Sequence, residues 1–114
     1  MQLRNPFPPE VKLLYLGCWR CWLCGANGQT KGGLDIHHIM GRISNSAFNS
    51  SCLCRECHNN VLHTKEVESK LFLITLVYLQ DVGYVPVQKD WDFFRENYQR
   101  LHSPELEEWL KKNH

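Results

Sequence analysis

A chain of 114 residues, 43% hydrophobic, is long enough for one small domain with a modest core and short of what two would need. Its 13 basic and 12 acidic residues nearly cancel, which excludes a broad basic field for nucleic acid and leaves any such contact local. No run reaches the roughly 18 apolar residues of a membrane span, and the opening MQLRNPFPPE lacks the basic-then-apolar order of a secretory signal, so a cytoplasmic protein without membrane contact is expected.

In chain order, NPFPPEVKLLYLG carries prolines suited to a loop and a helix first turn, followed by an apolar stripe that Gly17 closes. A short helix is therefore expected to lead into the first cysteines. ANGQTKGG reads as a glycine-rich turn, LDIHHI as a strand and MGRISNSAFNSS as a long polar loop. A helix is expected from about Cys54, carrying Cys57 and His58 and reaching toward His63. EVESKLFLITLVYLQDV has the length and apolar content of a longer, mostly buried helix ending at Gly83. Beyond it YVPVQ is extended, Asp90 is placed to cap a helix holding Trp91, Phe94, Tyr98 and Leu101, and Ser103-Pro104 opens a last helix. Spacings of three and four in this region describe an apolar face that packs a core. With no internal repeat or linker, residues 1–114 read as a single α+β domain.

Six cysteines in a cytosolic chain favour metal ligation over disulfides, because that compartment keeps thiols reduced. Cys21 and Cys24 in CWLCG form one Cys-x-x-Cys knuckle, and Cys54 and Cys57 in CREC form a second. This is the four-thiolate pattern of a structural zinc site. CWRC also has the spacing, so Cys18 competes with Cys24 for the role; Gly25, which relieves the tight turn after the second pairing, favours Cys24. Cys18 and Cys52 are then expected to be free buried thiols.

His37 and His38 stand side by side at the end of the apolar run. Consecutive residues of a strand face opposite ways, and a simple core cannot easily bury two imidazoles, so the pair calls for a further reason. Strand DIHHI, a loop, and Asn49 before SSCLCRECH, nine positions ahead of His58, resemble the His-Asn-His, or HNH, nuclease motif. The zinc-containing branch of that family threads two cysteine knuckles around a two-strand, one-helix unit called ββα-metal. The likeness covers about residues 18–63; the stretch from about 65 to 114 is a helical extension it does not explain.

The resemblance implies an endonuclease that hydrolyses DNA phosphodiesters, with a divalent ion on the scissile phosphate and a base that takes a proton from water. On that reading His37 and His58 are ligands of the catalytic ion, which would be Mg2+, Mn2+ or another divalent transition metal. His38 is the general base. Asn49 pins the loop and orients the base through both ends of its amide. Cys57, next to His58, ties the zinc to the catalytic ligand. Some relatives carry a third metal histidine four residues after the second, whereas His63 comes five after His58. Asp35 shares a strand face with His37 and is placed to orient it or to stay on the surface; Arg42, in the loop past the base, is a candidate phosphate clamp or a plain surface arginine.

One such site cuts one strand at a time, so double-strand cleavage calls for a homodimer, a larger complex or sequential nicking. The compact size suits a phage or mobile-element nuclease by analogy. The alternative is a zinc-ribbon adaptor that binds nucleic acid or protein without chemistry, which has no use for His37, His38, Asn49 and His58 together. A Cys-x-x-Cys redox protein is disfavoured, since no βαβ pattern accompanies the motif.

Overall fold

A computed structural model of the protein describes residues 7–28 and 33–113. Pro8 and Pro9 open α1 (Pro9–Leu14), where a ring without an N–H costs nothing, and the chain leaves through the turn at Tyr15. After the first knuckle come β1 (Leu34–His38), a single 3-10 turn (Ala47–Asn49), β2 (Ser50–Cys54) and α2 (Arg55–Asn60). The C-terminal half is α3 (Lys65–Asp81), α4 (Gln88–Glu96), α5 (Tyr98–Leu101) and α6 (Pro104–Asn113). The class is α+β, with β1 and β2 as an antiparallel pair in which His37 faces Ser51 and His38 faces Ser50. Among the described residues no helix is long and apolar enough to cross a membrane. The middle of the expected glycine-rich turn, residues 29–32, lies outside the described residues.

The long loop expected at 40–51 is shorter than read, because Ser50 and Ser51 belong to β2. Serine is a weak strand signal, and these serines are buried only because each has a partner. Ser50 Oγ donates to the Ala47 carbonyl at 2.6 Å and meets the Tyr15 hydroxyl at 2.5 Å; Ser51 Oγ donates to the His37 carbonyl at 3.2 Å. A second correction concerns α2, which ends at Asn60 and leaves His63 in the following loop. Third, the helix expected from Trp91 through Leu101 breaks at Asn97, whose side-chain amide donates to the Phe93 carbonyl at 2.9 Å while its own backbone leaves helical geometry. A side chain that competes for the ladder carbonyls is a sufficient cause.

The long apolar helix behaves as expected. Thr64 caps α3 by accepting from Val67 N, and Gly83 terminates it with φ of 81°. Leu71, Phe72, Leu76 and Leu79 of α3 are buried, and Thr75 Oγ1 donates to the Ser50 carbonyl at 2.6 Å, fastening α3 to β2. Phe48, from the 3-10 turn, meets Phe72 of α3 and Trp91 of α4 edge to face, with ring centroids 5.9 and 5.0 Å apart. The C-terminal helices therefore pack directly on the segment that carries Asn49.

Asp90 completes that connection. It sits in the first turn of α4 rather than before it, fully buried, and accepts from Val87 N at 2.9 Å. The same carboxylate accepts from the Tyr84 hydroxyl at 2.5 Å and from Ser46 Oγ at 2.6 Å, so one side chain joins the helical extension to the loop between β1 and β2. Asp90→Ala leaves the buried Ser46 hydroxyl, the half-buried Tyr84 hydroxyl and the Val87 N–H without their acceptor and is expected to cost on the order of 3 kcal/mol of unfolding free energy in a denaturant titration. A loss below about 1 kcal/mol would mean that the loop does not depend on α4.

Candidate metal centre and histidine cluster

The first knuckle is a small hairpin closed by the Arg20–Asn27 bridge. Gly25 takes φ of 76°, a region costly for other residues, and donates its N–H to the Cys21 carbonyl at 2.9 Å. Trp22 N donates to the Cys52 carbonyl at 2.9 Å, which presses this hairpin against β2. The second knuckle spans the junction of β2 and α2, where Cys54 serves as the helix N-cap and its sulfur accepts from Cys57 N at 3.4 Å. Cys21 sulfur accepts from the N–H two residues on, Leu23 N, at 3.4 Å.

These turns bring the sulfurs of Cys21, Cys24, Cys54 and Cys57 within 4.8 Å of one another, positioned to hold a metal ion. The Cys24–Cys54 separation is 3.9 Å, against about 3.8 Å for the edge of a tetrahedron with metal–sulfur bonds of about 2.3 Å. Burial raises the Cys21 thiol, but backbone hydrogen bonds at Cys24, Cys54 and Leu23 outweigh it and bring it to about 7. Burial and the three neighbouring sulfurs push Cys57 up. Four close thiols thus resist sharing negative charge, a conflict that a dication resolves. Cys18 is not among them; its sulfur lies 2.6 Å from that of Cys52.

Beside the cluster, β1, α2 and the loop after it bring together a second group of titratable side chains. His37 is buried and its ring centroid lies 5.0 Å from that of His58 and 6.1 Å from that of His63. Burial, followed by the charges of His58, His63 and His38, holds His37 down at about 4, so its imidazole is neutral at physiological pH. Its Nδ1 is buried without a hydrogen-bond partner. An orphaned buried nitrogen is costly, and ligation is one way to satisfy it.

Asp35 lies on the same strand face, but its carboxylate serves His58 rather than His37. Oδ2 is 2.9 Å from His58 Nδ1, and Arg55 Nε and Nη2 donate to the two carboxylate oxygens at 2.9 and 3.2 Å. Burial raises Asp35, yet the bonds from Arg55 and His58 prevail and hold it below the ordinary carboxylate range. An ionised Asp35 can only accept, so His58 carries a proton on Nδ1, and any metal bond would fall to Nε2. His63 is mostly exposed, with Nδ1 3.8 Å from the buried Glu68 carboxylate, which Arg100 also contacts.

His38, the next residue of β1, has partners of its own. Its ring stacks on Phe7, with centroids 3.9 Å apart and planes 14° from parallel, and its Nε2 lies 3.0 Å from Asn45 Oδ1. With that oxygen accepting, the proton sits on Nε2 and Nδ1 is left with the lone pair. Burial lowers His38 and the charges of Arg42 and His58 lower it further, against the opposing Asn45 bond. Asn49, fully buried, accepts from Met40 N at 2.8 Å and donates to the carbonyls of Gly41 and Ser44 at 2.9 and 2.7 Å. Both ends of its amide therefore fasten the loop that holds Arg42 and Asn45. Arg42 is exposed.

Phe7 and Asn45 were invisible to motif reasoning, since a phenylalanine among prolines and an asparagine among serines carry no spacing signal. What the scaffold defines is a four-cysteine cluster able to bind metal, set in a ββα unit beside three neighbouring histidines. Comparison with protein-family models, with curated proteins and with solved structures gives no match to this chain.

Proposed function

We propose that the protein is a metal-dependent DNA endonuclease of the HNH type, with zinc in the four-cysteine cluster and a separate exchangeable divalent cation between His37 and His58. The observation that carries the reading is the unpartnered, buried Nδ1 of His37 beside a His58 that Asp35 holds through Nδ1. Two imidazoles so arranged fit a divalent ion. Zinc is favoured in the cluster because four thiolates at tetrahedral spacing suit it.

When bound, the divalent cation supplies Lewis-acid stabilisation of the charge that develops on the phosphate and the leaving oxygen. The chain supplies the rest. His38, neutral and held by Phe7 and Asn45, takes a proton from the attacking water at Nδ1. Asn49 keeps the loop in place, so Asn45 stays on the base and Arg42 stays beside it, where a guanidinium can clamp phosphate. Asp35 and Arg55 steady His58.

The test is nicking of supercoiled plasmid by the purified chain. Activity is expected with added magnesium, manganese or nickel, to vanish after mild chelation that leaves zinc in place, and to return when metal is restored. His37→Ala and His58→Ala should resemble the chelated enzyme and resist rescue, because one remaining imidazole holds an ion poorly. Zinc-loaded, folded protein that nicks nothing with any of these ions would point instead to the adaptor reading.

A further inference from the structure

Four of the six cysteines belong to the metal cluster, and the two left over are in contact. Cys18 follows α1 and is half-buried, while Cys52, in the middle of β2 opposite Ile36, is 3% exposed. Their sulfurs stand 2.6 Å apart, although the residues are 34 positions apart in the chain. No thiol hydrogen bond draws sulfurs so close. Neighbouring contacts hold the pair in place. Both sulfurs lie against the Arg20 carbonyl, at 3.7 and 3.5 Å, and Tyr15, three residues before Cys18, bonds Ser50, two before Cys52, at 2.5 Å. The scaffold brings these two thiols together by contacts other than their own.

We propose that Cys18 and Cys52 form a reversible disulfide, separate from the metal cluster, by exchange with a low-molecular-weight disulfide such as glutathione disulfide. Half-exposed Cys18 makes the first attack. Its thiolate sulfur bonds to one glutathione sulfur as the glutathione S–S bond breaks, releasing one glutathione thiolate. Cys52, which a small oxidant cannot reach directly, then attacks the Cys18 sulfur as its thiolate and displaces the second glutathione. The two protons lost by the cysteines end on the two released glutathiones, and one disulfide is reduced as the other forms. The bond would close a loop containing both the first knuckle and β1, and so tie α1 to the sheet. Nuclease activity plays no part in this inference.

The full zinc-loaded chain is incubated with glutathione disulfide or with reduced glutathione, alkylated, digested without reductant and mapped by mass spectrometry, with zinc measured in parallel. Expected in the oxidised arm are a peptide linking Cys18 to Cys52, loss of two alkylatable thiols, unchanged zinc and a rise in Tm of several degrees. Cys52→Ser should stop at one glutathione on Cys18, and Cys18→Ser should take up none at Cys52. Alkylation of both residues despite excess glutathione disulfide would overturn the proposal, as would linked peptides joining cysteines of the metal cluster instead. The wild-type peptide map decides the matter even where a serine variant fails to fold.

Discussion

Cys54→Ser is expected to abolish tight zinc binding and to unfold the ββα unit, the largest single effect on stability that the molecule offers. Cys54 is fully buried, faces Leu34 in the sheet, caps α2 through its sulfur and belongs to the metal cluster. A serine oxygen could still cap the helix, so what the substitution removes is chiefly a metal bond. In small sites of this kind metal binding amounts to roughly 10 kcal/mol or more of folding free energy. The loss should reach the histidines as well, because α2 carries both Cys57 and His58. Metal analysis and circular dichroism check this, and a variant that kept both its zinc and its Tm would remove Cys54 from the site.

His38→Ala has the largest effect expected on chemistry. Loss of a general base lowers the rate by roughly a hundredfold or more, while zinc content and fold should persist. The side chain is only half-buried and gives up a stack on Phe7 and one bond to Asn45, neither of which supports the metal cluster. Plasmid nicking at saturating metal, alongside a thermal melt, separates the two consequences. Activity equal to wild type would end the assignment of His38 as base and shift attention to His63, the exposed imidazole near His37.

The role of the C-terminal helices follows from packing. They cover the 3-10 turn through Phe48 and hold the β1–β2 loop through Asp90 and Ser46. Asn49, fastened by three bonds within that loop, thus rests on a platform the motif itself does not contain.

The sequence by itself determined the features that rest on near neighbours. Two Cys-x-x-Cys knuckles can be read from spacing because each closes within one turn, and Gly25 correctly separated Cys24 from Cys18 because a positive φ is a local demand. Strand β1 and helix α3 were legible from their apolar patterns and their ends. Tertiary structure decided everything that depends on which distant group a side chain meets. Ser50 and Ser51 read as loop, yet lie in a buried strand because Tyr15, Ala47 and His37 satisfy their hydroxyls. Asp35 faces the same way as His37 but is claimed by His58 and Arg55, 23 and 20 residues on. Cys18 and Cys52 read as two separate thiols and are a touching pair. A period of two or of 3.6 says which way a side chain points, and only the packed chain says what it finds there.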